Sequence, residues 1–120
     1  MNRTIMTVDD STSMRQMVKA TLQAAGYGVV EAADGQEALD YARENSVDLV
    51  ISDVNMPRMD GITLVHELRA LSTYRLTPLL LLTTESSQDK KMEGKRAGAT
   101  GWIVKPFNPT QLLATLQKLL

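Results

Sequence analysis

The sequence predicts an α/β domain, a doubly wound five-stranded parallel sheet with helices on both faces. Three observations predict it. Short apolar runs alternate with segments of helical spacing along the whole chain, Gly, Asp or Asn punctuates the crossings, and the run Val47 to Ile51 lacks the polar alternation of a half-exposed strand.

Ile5 to Val8 reads as the first strand. Met14, Met17, Val18, Thr21, Leu22 and Ala25 then recur at helical spacing, with Ser11 or Ser13 as N-cap and Gly26 as the stop. Gly28 to Ala32 is a weaker strand, after which Asp34-Gly35 turns into a helix carrying Ala38, Leu39 and Ala42 and ending near Asn45. Val47, Leu49, Val50 and Ile51 form the third strand, closed by Asp53, and the loop Asn55 to Gly61 leads into a helix with Leu64, Val65, Leu68 and Leu71 on one side. The fourth strand is Pro78 to Leu82, the fifth Gly101 to Val104, and the last helix presents Leu112, Leu113, Leu116, Leu119 and Leu120.

The helix between Ser86 and Gly98 differs from the others. Gln88, Asp89, Lys90, Lys91, Glu93, Lys95 and Arg96 leave little except Met92 and Ala97 to bury, and Gly94 interrupts it. It should be the most weakly held helix, either a solvated outer element or one able to shift at small cost.

Composition bounds the function. The 120 residues, 43% of them hydrophobic, suffice for one domain spanning 1–120 with a sheet covered on both faces. Thirteen Lys and Arg against 14 Asp and Glu give a net charge of -1, which offers no broad basic surface, so a nucleic-acid partner is not expected. Absence of cysteine excludes disulfides and thiolate chemistry, and no apolar run is long enough for a signal peptide or membrane span. A cytoplasmic protein without a membrane partner is the expectation.

Helical crossovers of this length imply right-handed connections and, most simply, the flavodoxin-like strand order 2-1-3-4-5. Strands 1, 3, 4 and 5 then lie side by side at about 4.8 Å spacing. Asp9-Asp10, Asp53, Thr83 and Lys105 form a row along the carboxyl edge, with Asp10 and Asp53 as the central pair. Three such acids repel one another unless a cation sits among them. Mg2+ suits oxygen ligands: Asp10 and Asp53 can bind directly, Asp9 through a water, and the Asn55 backbone carbonyl can add a third protein oxygen. Thr83 can donate its hydroxyl to a phosphoryl oxygen, and Lys105 can pair with Asp53 before reaction and with the phosphoryl group afterwards. Taken singly, each has a plainer reading: solvated turn acids, a β-branched strand residue, a surface lysine. The Lys105-Pro106 bond is a candidate for the cis form, aiming the lysine across the sheet edge.

Val8-Asp9-Asp10-Ser11, the stretch Ile51 to Gly61, Leu82-Thr83-Thr84-Glu85, Ala97-Gly98-Ala99 and Val104-Lys105-Pro106-Phe107 resemble the receiver domain of two-component response regulators over the whole chain. Within that family the sequence is most similar to the single-domain chemotaxis regulators of the CheY type. The resemblance implies that Asp53 accepts a phosphoryl group from a histidine kinase, that Asp9, Asp10 and the Asn55 carbonyl hold Mg2+, and that Thr83 and Lys105 sense the phosphate. It also implies a switch in which Thr83 moves inward and Trp102, three residues before Lys105, follows. The output face would be the polar helix, the fifth strand and the last helix, where Lys90, Lys91, Lys95 and Trp102 could meet a flagellar switch or other output protein. A phosphatase is a further possible partner, and a monomer is expected. Two positions depart from the pattern: the switch aromatic is typically Tyr, and the residue after the threonine is usually Ala or Gly, where this chain has Thr84.

Other classes share parts of this pattern. A haloacid-dehalogenase-type phosphatase also uses an Asp nucleophile with Mg2+ but needs an acid two residues later, where this chain has Asn55; a persistent phosphoprotein rather than a turnover enzyme is expected. A flavin binder would want a glycine-rich cradle after the first strand, where Asp9-Asp10 has the wrong charge. The only histidine, His66, lies off the apolar face of its helix and reads as solvated. A phosphorelay intermediate, or the receiver part of a transcriptional regulator, remains open beside the motor regulator.

Overall fold

Thr4–Val8 (β1), Gly28–Ala32 (β2), Leu49–Ser52 (β3), Leu79–Thr83 (β4) and Gly101–Val104 (β5) pair in parallel in the order β2-β1-β3-β4-β5, as the sequence predicts. Five helices connect and follow them: Thr12–Ala24 (α1), Gly35–Glu44 (α2), Gly61–Arg69 (α3), Gln88–Ala97 (α4) and Pro109–Leu119 (α5). The computed structural model describes residues 3–84 and 87–120. Glu85 and Ser86, the latter the predicted start of the fourth helix, lie outside the described residues.

Local chemistry explains the helix starts. The Ser11, Asp34, Asp60 and Ser87 side chains accept the backbone N–H of Met14, Glu37, Thr63 and Lys90, and Asn108 caps α5 ahead of Pro109. Each such cap is worth about 1 kcal/mol. Gly98, at φ 113°, closes α4 in the left-handed conformation that a side chain would oppose.

The strands distribute their side chains by strict alternation. Ile5, Leu49, Ile51, Leu80 and Leu82 meet Val18 and Leu22 of α1 and Leu112 and Leu116 of α5, whereas Met6, Val8, Val50, Leu79 and Leu81 meet α2 and α3 on the opposite face. The unbroken leucine run of β4 therefore feeds two cores at once. A sheet buried on both faces requires this.

Two helical readings need correction. Met17 is 57% exposed, because burial of α1 concentrates on Val18 and Leu22 and Met17 lies about 100° around the helix from Val18. In α4 Met92 is 42% exposed, while Gly94, expected to interrupt the helix, is its buried residue and lies within an unbroken helical span. The glycine serves close approach to the sheet. The far end of α4 is tied down by Arg69 of α3, whose guanidinium donates to the carbonyls of Gly98 (2.9 Å), Tyr74 (2.7 Å) and Thr77 (2.7 Å).

Candidate functional site

Register brings the chemistry together. Val8 pairs with Ser52, so Asp9 and Asp53 leave their strands side by side, and the Asp53 N–H donates to the Val8 carbonyl at 2.8 Å. Ser52 pairs with Leu81 and Thr83 with Val104, so Thr83 and Lys105 close the same row from the other side.

The carboxylates of Asp9, Asp10 and Asp53 offer oxygens that all lie within 4.8 Å of one another. Asp9 and Asp53 are buried, at 4% and 9% exposure, and Asp10 is exposed. Of the expected central pair, Asp10 and Asp53, only Asp53 is buried, and its buried neighbour in the cluster is Asp9. Lys105 reaches both, its Nζ donating to Asp9 Oδ2 at 3.0 Å and lying 3.5 Å from Asp53 Oδ2. Its closer partner is Asp9, whose other oxygen, Oδ1, accepts the Ser11 N–H at 2.9 Å. The Lys105 side chain is 11% exposed and the peptide to Pro106 is cis. The surface-lysine reading fails.

Asp53 is fixed from below. The Val54 N–H donates to its Oδ1 at 2.8 Å, and a Cβ at Gly61 would collide with its carbonyl oxygen. Burial pushes the Asp53 carboxyl above its ordinary range, with the Lys105 charge opposing and the Asp9 charge adding to that push. Three acids against one ammonium leave a deficit of positive charge. That donor set, all oxygen and partly buried, suits a hard divalent cation with Asp9, Asp10 and Asp53 as carboxylate ligands. Asn55 is exposed at the start of the following turn.

Thr83 is fully buried at the end of β4, and Thr84 after it is exposed. Trp102 pairs in register with Leu81, two residues before Thr83, so the pleat puts the Trp102 and Thr83 side chains on the same face of the sheet. His66 is exposed on α3, as expected.

Sequence reasoning passed over two arginines here. Arg15 of α1 donates to the Asp9 carbonyl at 2.7 Å and reaches Glu31 at 3.3 Å, holding the β1 end from behind. Arg58 donates through Nε and Nη2 to Asp34, at 2.9 and 3.0 Å. Helical position could have suggested the first, four residues after the Ser11 cap; nothing local signals the second, whose partner lies 24 residues away.

Comparison with known proteins agrees with the geometry. The model of the response regulator receiver domain matches residues 5–117. The structure of Vibrio cholerae chemotaxis protein CheY4 is 57% identical with a TM-score of 0.95, over 100% of both chains. The receiver domain of a Pseudomonas aeruginosa sensor histidine kinase, solved with a magnesium ion coordinated in its active-site cleft, is 28% identical with a TM-score of 0.92, over 99% of this chain and 98% of that one. The Staphylococcus aureus transcriptional regulatory protein SrrA is 34% identical across 100% of this chain, which spans 48% of its length. The chain thus covers about half of the curated relatives it matches. Sheet order, the acid row and the near-complete match to the family model converge, and the chain belongs to the receiver domains of two-component response regulators.

Proposed function

We propose that the chain is a phospho-accepting switch in which Asp53 takes a phosphoryl group from a histidine kinase, with Asp9, Asp10, Asp53 and the Asn55 carbonyl holding Mg2+. The observation that carries this reading is the placement of Lys105 Nζ 3.0 Å from Asp9 and 3.5 Å from Asp53 amid three clustered carboxylates. A bound Mg2+ would offset the charge of the acids and of the incoming phosphoryl oxygens. The chain's own groups do the rest. An Asp53 carboxylate oxygen attacks phosphorus, the new P–O bond forms as the P–N bond to the donor imidazole breaks, and the electron pair leaves with that imidazole, which is reprotonated from water. Lys105 lies within reach to exchange its Asp53 contact for a phosphoryl oxygen, and the Thr83 hydroxyl can donate to another.

The same face of the sheet links Thr83 to Trp102, which supports a switch passing from phosphate to indole. Trp102 walls two adjoining grooves, one of about 340 Å3 with Lys91, Lys95 and Ala99 between α4 and β5, the other of about 520 Å3 with Val104, Pro106 and Asn108 toward α5. A surface of this kind suits an output partner whose contacts a change at Trp102 would alter. The full-length likeness to Vibrio cholerae CheY4 favours chemotaxis and flagellar motor control as the destination, in the cytoplasm. The match to SrrA keeps a transcriptional output as the second reading.

Incubation with Mg2+ and a small phosphodonor, followed by intact-mass measurement, tests the site. The native chain gains one phosphoryl mass and Asp53→Asn gains none; equal labelling of both would overturn the assignment. Capture of a flagellar switch component by the phosphorylated chain alone supports the motor reading, and capture of promoter DNA by a longer form of the protein supports the other.

A further inference from the structure

Arg58 is the one non-glycine residue with positive φ among the described residues, at φ 67°. A side chain disfavours that conformation, and such strain persists only where surrounding contacts over-determine it. The contact is visible. Nε and Nη2 of Arg58 grip the two carboxylate oxygens of Asp34 at 2.9 and 3.0 Å, a bidentate pair in which the acid is only 12% exposed. Asp34 has a second duty, since its Oδ1 also accepts the Glu37 N–H at 2.9 Å and starts α2. Directly after this pair, Gly35 lies so close to Met59 that a Cβ on the glycine would stand 2.6 Å from the Met59 carbonyl oxygen. Residues 34 and 35 thus zip onto residues 58 and 59, fastening the β2–α2 turn to the loop between β3 and α3. That loop is pinned at its other end as well, by the Gly61 N–H on the Val54 carbonyl at 2.8 Å. Between the two fastenings lies Asn55.

We propose that Arg58 is a positioning residue whose ion pair with Asp34 holds the β3–α3 loop against the β2–α2 turn and thereby sets how tightly the acidic site binds a divalent cation. The inference rests on the reading of that site as a cation-binding phosphoryl acceptor. An ordinary exposed ion pair would contribute little. This one is bidentate and has a buried acid, while the Arg58 side chain is 61% exposed, and it holds a left-handed backbone five residues after Asp53.

Calorimetric titration with MgCl2, without any phosphodonor, tests it on the native chain and on Arg58→Gly, Asp34→Asn and the double variant. Glycine adopts φ 67° freely, so only the side chain is lost, and asparagine keeps the helix cap while discarding the charge. Each single substitution weakens Mg2+ binding about tenfold, the low end of the losses seen when groups outside the ligand set of a metal are removed. The double variant binds no more weakly than the weaker single, because both remove one interaction. Arg58→Lys, retaining the charge without the fork, falls between native and Arg58→Gly. Arg58→Asn, which also accepts a left-handed backbone, replaces the glycine variant if that one melts early. Native affinity in the folded single variants, or losses that add in the double, overturns the inference while leaving the site intact. A native chain that binds no Mg2+ removes the reading of the site and the inference with it.

Discussion

The indole of Trp102 is seated against Gly94, one strand against one helix turn: a Cβ at Gly94 would stand 3.1 Å from Trp102 Cζ3, 3.3 Å from Cε3 and 2.9 Å from Leu81 Cδ1. The smallest residue in α4 therefore faces the largest residue in the chain. Replacing Gly94 by Ala gains about 1 kcal/mol of helix propensity and loses a comparable amount to crowding against the fully buried Leu81. Stability of Gly94→Ala should change by under about 1 kcal/mol, whereas the indole must move outward. A red-shifted Trp102 emission checks this; an unchanged spectrum would show that the helix, not the ring, gives way.

Gly61 differs because its obstacle is backbone. A Cβ there meets the Asp53 carbonyl, which no rotamer change can clear. Gly61→Ala should cost about 1 to 3 kcal/mol of unfolding free energy in urea and slow phosphorylation of Asp53 as well. Full activity at native stability would be inconsistent with the close approach.

Burial raises the Asp53 pKa, so its carboxylate is the form the folded state disfavours. The cost is present in full above the folded pKa and absent below the unfolded one. Without metal, Asp53→Asn should therefore melt higher than the native chain at pH 7, and the gap should close as pH falls through the carboxylate range. Melting curves across that range decide it; a variant that melts lower at pH 7 would mean that attraction to Lys105 outweighs burial.

Thr84 stands exposed next to the buried Thr83 at the rim of the acid row. Removing its branched side chain should open the approach to Asp53. Thr84→Ala is expected to speed phosphotransfer or dephosphorylation threefold to tenfold, a barrier change of about 0.7 to 1.4 kcal/mol. Unchanged rates for both reactions would sink the idea.

Much of the site was legible in the chain because each group follows a strand. Asp9, Asp53 and Thr83 close β1, β3 and β4 or directly follow them, and Lys105 follows β5, so assigning strands and their order already put the groups on one edge. The pairing of Lys105 with Asp9 as well as Asp53 was not legible, since it depends on the path of a side chain across 96 residues of sequence separation. Gly94 was misread for a related reason: as helix propensity it is a defect, and only the ring lying over it makes it a fit.

By itself, the order of residues determined the five βα units, the Ser11 cap and the Asp34 turn that start the first two helices, and the chemistry available at the strand ends, because apolar period and cap chemistry act over a few neighbours. Tertiary structure alone decided which acid is buried, that Asp34 and Arg58 clasp two loops together, and that α4 lies flush on Trp102. Those features depend on distances between segments far apart in the chain, which packing of the two cores sets and no local pattern encodes.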